Sequence, residues 1–179
     1  MRILGIDPGS LLCGYGVIDC EGSNFSLVEY GVIKAGKAGK DLPVRLKEIY
    51  SRLFNVIART KPEIAAFESM FYHKNAQSLM KLSHARGAAM AAVGMGELEV
   101  FEYSPKTVKK SVTGRGGAAK EQVAFMVLGM LDIKETPEFF DSTDALAVAI
   151  CHANQFRSGS NKSTSWADYA KNNPDKIIE

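Results

Sequence analysis

At 179 residues, 46% of them apolar, and with a formal net charge of +2, the chain has the size of one domain that buries roughly 70% of its unfolded surface. No apolar run approaches the ~20 residues that cross a bilayer, and no long apolar stretch follows Arg2, so neither a membrane helix nor a signal peptide is expected. Cys13, Cys20 and Cys151 are odd in number and lack CxxC spacing. That argues against a disulfide framework or a zinc site and fits a reducing, cytoplasmic setting.

Arg2–Asp7 is predicted as a first strand, followed by a glycine-rich turn through Pro8, Gly9, Ser10 and Gly14. Tyr15–Cys20 and Phe25–Ile33 read as further extended runs. Glu21-Gly22-Ser23-Asn24 supplies a tight turn between them, so the three strands form an antiparallel meander. Asp41 is placed as a helix N-cap, with Pro43 in the first turn. Leu42, Leu46, Ile49, Leu53 and Ile57 then recur at helical spacing until Lys61-Pro62 stops the run. Glu63–Glu68 is predicted as a buried strand. Asn75 caps a second helix reaching about Val93, whose later turns, Gly87 to Ala92, are small enough to admit another helix, within the fold or across a dimer. Leu98–Glu102 reads as a short strand, Ser104-Pro105 opens a short basic helix, Gly114–Gly117 is a loop, and Ala119–Leu131 is an apolar helix. A last helix is expected from about Asp141 to Ala153. Residues 1–156 then make one domain, and the Ser-, Asn- and Lys-rich stretch 157–179 is expected to be a flexible tail. Strands first, then helices alternating with strands, imply an α/β sheet with helices packed on it.

Charge is unevenly spread. Gly31 to Thr60 holds seven basic residues against Asp41 and Glu48, and Lys106 to Lys120 holds five with no acid, whereas Glu121 to Ile150 holds six acids against Lys134 alone. Two basic segments point toward a polyanionic partner. Four carboxylates stand at the edges of segments that read as buried. Asp7 ends the first apolar run, Glu68 ends the run Ile64 to Phe67, and Asp141 and Asp144 precede the run Ala145 to Ile150. A lone charge is costly at such places. Asp141 and Asp144, at i and i+3, lie on one helical face. Grouped together, the four would repel unless divalent cations neutralised them, which reads as an oxygen-rich site for magnesium or manganese. Two of the acids also have a plainer role open to them, Asp141 as a first-turn helix acid and Asp7 as a strand-end turn acid before Pro8, whereas Asp144 and above all Glu68 are less easily explained by structure alone.

The run Gly5-Ile6-Asp7-Pro8-Gly9-Ser10 with Gly14-Tyr15-Gly16 resembles the opening motif of the bacterial RuvC Holliday-junction resolvases. The likeness continues in order through Asp41-Leu42-Pro43, Arg45-Leu46, Glu68 with Phe71, Lys74-Asn75-Ala76, Lys81-Leu82, Ala85-Arg86-Gly87, Phe101-Glu102-Tyr103, Val108-Lys109, Lys120 and Asp144-Ala145-Leu146-Ala147. It implies a ribonuclease-H-like α/β fold: a mixed sheet, the meander plus parallel strands, with helices on both faces. It also implies a homodimer that cuts four-way DNA junctions in recombination and repair, with the RuvA and RuvB branch-migration proteins as partners. Carried over by position, Asp7, Glu68, Asp141 and Asp144 are the catalytic acids and metal holders. Lys109 and Lys120 are the phosphate-contacting lysines, Phe71 stacks on or wedges between junction bases, and Lys74 faces DNA. Ser69 and Met70 depart from the pattern beside Glu68.

The chemistry of phosphodiester hydrolysis agrees with that assignment. Two metals ~3.5–4 Å apart supply a deprotonated water, charge neutralisation and help for the leaving oxygen. Asp7, expected on the central strand, is the candidate to bridge both ions, with Glu68 and Asp144 each completing one shell and Asp141 assisting from the side. Lys109 or Lys120 stabilises the phosphate, and Lys106, Lys109, Lys110, Lys120 and Arg115 follow the DNA backbone. His73, His84 and His152 receive no role. An actin-like ATPase would share the Asp-x-Gly turn but needs a second domain for which this chain has no room. Two readings stay open beside the resolvase: a ribonuclease-H-fold nuclease on hybrids or flaps, and a junction-binding module that does not cut.

Overall fold

Five strands and five helices follow one another along the described residues of the computed structural model, namely 1–36, 41–69, 75–135 and 137–160. β1 (Arg2–Asp7) pairs antiparallel with β2 (Leu12–Glu21), and β2 with β3 (Asn24–Lys34). On the other side of β1, β4 (Ile64–Glu68) and then β5 (Glu99–Tyr103) add in parallel. The order β3-β2-β1-β4-β5 puts β1 at the centre. The expected meander is closed by Gly22-Ser23, with Glu21 opposite Asn24 and Gly22 at φ 60°, the backbone a tight hairpin asks of glycine. β2 begins earlier than the expected Tyr15. Gly14 is therefore a strand residue opposite Asp7, not part of the turn.

Helices cover both faces because the central strands are apolar on both sides. Leu4 and Ile6 of β1, with Ala65 and Phe67 of β4, pack against α1 (Leu42–Thr60) and α2 (Ala76–Met95) through Ile49, Leu53, Ala85, Ala89 and Val93. Ile3 and Ala66 face the other way, onto α3 (Pro105–Thr113), α4 (Lys120–Met130) and α5 (Phe140–Ser160), through Val108, Val112, Val123, Val127, Leu146 and Ile150. The neighbours Val17 and Ile18 of β2 serve the two cores by ordinary strand alternation, and a bulge in the pairing opposite them leaves Val28 of β3 without a register partner.

Local signals set most boundaries. Asn75 accepts a hydrogen bond from the Ser78 amide at 3.1 Å, and Ser104 one from Thr107 at 3.1 Å, capping α2 and α3. Asp41 occupies the N-cap position of α1, but its side chain makes no cap bond; only its carbonyl accepts, from the Arg45 amide at 3.2 Å. α5 runs past the expected Ala153 to Ser160, into the stretch read as tail. Its extra turn is held to the fold, since Asn154 Nδ2 donates to Ser111 Oγ of α3 at 3.2 Å, and within the helix Phe156 stacks on His152 one turn earlier. Residues 161–179 lie outside the described residues. All three cysteines are free and buried. Among the described residues no helix is long and apolar enough to cross a membrane.

Candidate active site

Asp7 and Glu68 close two neighbouring parallel strands. Ile6 pairs with Phe67, so both acids leave the sheet side by side at its carboxyl edge. The alternation of strand side chains turns them to the face that carries Ile3 and Ala66, beneath α5.

α5 reaches that edge because the sheet presents bare backbone to it. A methyl group at Gly5 would lie 2.0 Å from the Ala145 carbonyl oxygen, and one at Gly14 1.9 Å from that of Asp141. At Gly16 it would lie 2.5 Å from Leu146 Cδ2. Gly5 is the register partner of Gly16, and Gly14 that of Asp7. Glycine inside a strand marks such a close approach. The first turns of α5 thus come down next to Asp7 and bring Asp141 and Asp144 with them. The cluster gathers residues 7, 68, 141 and 144 through two strand ends and one helix start.

Burial raises the pKa of Asp7, Glu68 and Asp144, and repulsion among the acids raises it further. Asp7 is pushed up to about 7, first by burial and then by Asp144, Glu68 and Asp141, with Lys120 pulling the other way. Burial is also the leading cause that raises Glu68, followed by Asp144. Asp144 is raised by burial in spite of Lys120, whose Nζ lies 2.5 Å from Asp144 Oδ2. On Lys120 itself, burial works against the charge, but the Asp144 hydrogen bond and the surrounding acids outweigh it and hold the ammonium protonated. Lys120 is thus a counter-charge of the cluster, and Lys109 acts in the same sense on Glu68 and Asp144.

A cavity of about 200 Å³ opens between β4, α3, α4 and α5. Glu68, Asp144, Lys109 and Lys120 give it polar walls, and Val108, Val123 and Ala147 an apolar floor. Among the described residues, no three acids close into a ready-made metal cage; Asp144 turns to the Lys120 ammonium, the nearest relief for an uncompensated carboxylate. The donor set nevertheless fits a hard divalent cation. All four groups offer carboxylate oxygen, and a cation among them would remove the repulsion that helps lift Asp7 to about 7.

The remaining expected residues divide. Lys109 joins the acids in the cavity. Lys106 and Lys110 are exposed and line a separate groove of about 490 Å³ with Ser104, Thr107, Ser111 and Gln155. Arg115 is exposed in a third hollow, beside Phe125 and Met126. Phe71 and Lys74 lie outside the described residues. His152, given no role, is buried, with Nδ1 2.8 Å from the Tyr103 hydroxyl. Two buried arginines at the strand ends, quoted in the family likeness but given no role there, also reach the site. Arg45 donates to the Ser10 carbonyl at 3.1 Å, just past Asp7, and Arg86 to the Glu68 carbonyl at 2.8 Å. Their sequence signal is weak, an arginine inside a helix that otherwise packs with apolar residues.

A family model described as crossover junction endodeoxyribonuclease RuvC matches residues 3–152. Over the whole of both chains, the protein is 44% identical to a Chloroherpeton thalassium relative named crossover junction endodeoxyribonuclease RuvC. The structure of Thermus thermophilus RuvC superposes with a TM-score of 0.80 at 36% identity, covering 89% of this chain and 97% of that one. T. thermophilus RuvC in complex with Holliday junction substrate gives 0.84 at 35% identity, with the same coverage. The fold is thus the ribonuclease-H-like α/β arrangement. Because the matched span runs from β1 through α5 and holds all four acids and both cavity lysines, the chain belongs to the crossover junction endodeoxyribonuclease RuvC family.

Proposed function

We propose that this chain is a homodimeric nuclease that resolves four-way DNA junctions by paired, symmetric nicks in two strands of like polarity. Asp7, Glu68, Asp141 and Asp144 hold divalent cations for this reaction, magnesium first and manganese as a substitute. One observation carries the reading: in a chain of this family, four acids and two lysines from five separate elements meet at the carboxyl edge of the sheet, beside a cavity. The T. thermophilus relative is found with a Holliday junction bound.

Bound cations would neutralise the acids and supply the activated water and leaving-group stabilisation that phosphodiester hydrolysis requires. The protein's own groups do the rest. Asp7 stands on the central strand and interacts electrostatically with the other three acids. Glu68 and Asp144 flank the cavity from opposite elements, β4 and α5. Asp141 acts on Asp7 from the start of α5. Lys109 and Lys120 present ammonium groups where a phosphate would enter, and there they stabilise charge building on its oxygens. The water oxygen bonds to phosphorus and gives up a proton to solvent, the bond to the 3′ oxygen breaks, and that oxygen takes up a proton from solvent to leave as a hydroxyl. Ends with 5′-phosphate and 3′-hydroxyl remain, which a ligase seals.

Two like strands call for two sites related by a twofold axis. α2 offers a face for a second copy. Among the described residues nothing stands over the Cα atoms of Gly87 and Gly94, and Met80 and Met95 are 60% and 64% exposed. Phe71 and Lys74 would meet the junction centre, while Lys106, Lys110 and Arg115 would follow backbone phosphates. RuvA and RuvB are the expected partners and the cytoplasm the expected setting.

The test is to label each strand of an immobile synthetic junction in turn and map the nicks formed with Mg²⁺. Paired, ligatable nicks at symmetry-related positions support the proposal. Nicks confined to RNA–DNA hybrids or flaps would move the substrate, and tight binding without cleavage would remove the enzyme claim.

A further inference from the structure

Arg86 stands in the middle of α2 and is only 9% exposed. A guanidinium keeps its charge under all ordinary conditions, so burial obliges every side of it to find a partner. Its partners all belong to the ends of β4 and β5. One terminal nitrogen donates to the Glu68 carbonyl at 2.8 Å, and the other meets Glu102 Oε1 at 2.7 Å. The plane of the group covers the Phe67 ring, its carbon 5.1 Å from the ring centre. Phe67 and Glu102 are register partners, and Glu68 is that of Tyr103. The grip therefore closes on the last paired rungs of the parallel ladder, where the Ser69 amide also donates to the Tyr103 carbonyl at 2.8 Å.

The two faces of the sheet are used differently at this point. Glu68 sends its carboxylate into the cavity on the α5 side. Phe67, beneath the guanidinium, belongs to the core on the α1 and α2 side. Arg86 holds the main chain of the acid from behind while the side chain works in front. We infer that Arg86 is a positioning residue for Glu68: by holding the Glu68 carbonyl it sets where that carboxylate enters the cation site, and it couples the site to α2. This rests on the proposed reading of Glu68 as a cation-holding acid.

A buried ion pair alone is a weak argument for stability. The distinctive feature here is the main-chain acceptor, which belongs to a site acid. Outer partners that orient a metal-holding group typically change metal affinity by about 10–100-fold when lost. Three variants separate positioning from bulk structure. Arg86→Lys keeps the charge but loses the fork that reaches both acceptors. Replacing both charges together, R86M with E102M, leaves no unpaired buried charge and still removes the donor to Glu68, so it serves if the lysine variant fails to fold. Glu102→Gln weakens the ion pair and leaves the bond to Glu68.

Mn²⁺ binding to the full-length, junction-free protein, measured by calorimetry, is the readout, with Glu68→Gln alongside. Junction affinity without divalent cation and thermal unfolding are measured in parallel. The expected result is Mn²⁺ affinity lowered about tenfold or more in Arg86→Lys and in the double variant. Glu102→Gln should bind Mn²⁺ nearly as the parent does, and junction affinity should hold throughout. If Glu68→Gln weakens Mn²⁺ binding while the Arg86→Lys and double variants bind it normally, Arg86 is structural only and the inference is overturned. If Glu68→Gln itself leaves Mn²⁺ binding intact, the reading of Glu68 fails first and the inference falls with it.

Discussion

Adding a methyl group at Gly14 places it 1.9 Å from the Asp141 carbonyl oxygen, where ordinary contact begins at 3.4 Å. The obstacle is backbone on both sides, so no change of rotamer relieves it. β2 is held by ladders on both edges, to β1 and β3. The start of α5 must therefore lift, by about 1.5 Å if it absorbs the whole difference. Overpacking of this kind costs typically ~1–3 kcal/mol, and replacing glycine by alanine returns ~0.4–1 kcal/mol through the unfolded chain. The net loss of roughly 1–2 kcal/mol is small beside the ~5–15 kcal/mol that holds a domain folded. Catalysis is less forgiving, because a misplacement of about 1 Å costs on the order of 100-fold in rate. Gly14→Ala should fold, melt several degrees lower, bind a synthetic junction without divalent cation as the parent does, and cut it about 100-fold more slowly in single-turnover assays with Mg²⁺. Gly16→Ala is the control, since its methyl meets chiefly the Leu146 side chain; it should cost stability while sparing more of the rate. A Gly14→Ala protein that cuts at the parental rate would refute the claim that this seat positions Asp141 and Asp144.

Burial and the neighbouring acids push Asp7 up to about 7 in the folded chain, against the ordinary aspartate value of about 3.9 when unfolded. The folded state thus binds more protons between those values, and metal-free stability falls as pH rises through that window. Asp7→Asn removes the share that Asp7 contributes, while Glu68 and Asp144, also raised by burial, keep theirs. In urea titrations it should match the parent near pH 4 and exceed it at pH 8 by a few kcal/mol, on the order of 1.4 kcal/mol for each unit separating the two values. Equal stabilities at both pH values would contradict the burial and repulsion assigned to Asp7. By the same logic, Mg²⁺ should raise the melting temperature of the parent more at pH 8 than at pH 5. Lys120→Met keeps most of the stem and removes the ammonium that answers Asp144. Cleavage should fall about 100–1000-fold, the range for losing one stabilising donor, with junction affinity changed little; an unchanged rate would leave Lys120 a counter-charge only.

The meander, the capped starts of α2 and α3 and the four acids were legible because each rests on a local signal. Alternation shows strands, Asn75 and Ser104 show caps, and a carboxylate closing an apolar run shows a charge that needs company. What failed to show depends on distant chain. Gly14 carries the same local mark in a strand as in a turn, and its purpose is set by Asp141, far along the sequence. Asn154 to Arg157 look polar enough to end a helix, yet α5 continues where Ser111, far back in the chain, receives Asn154. The basic run from Lys106 to Arg115 reads as one tract. On a helix, however, the neighbours Lys109 and Lys110 point about 100° apart, and the fold turns one into the cavity and the other into a separate groove. Arg86 reads as an ordinary helix-surface charge until β4 is placed beneath it.

The most direct test is single-turnover cleavage of an immobile four-way junction by the parent protein and by Asp7→Asn, each with Mg²⁺ and with EDTA, with junction binding measured in the same samples. Cleavage only by the parent and only with Mg²⁺, beside equal binding by both proteins, is the predicted result. Cleavage that survives EDTA, or that Asp7→Asn retains, would contradict a cation site built on these four acids.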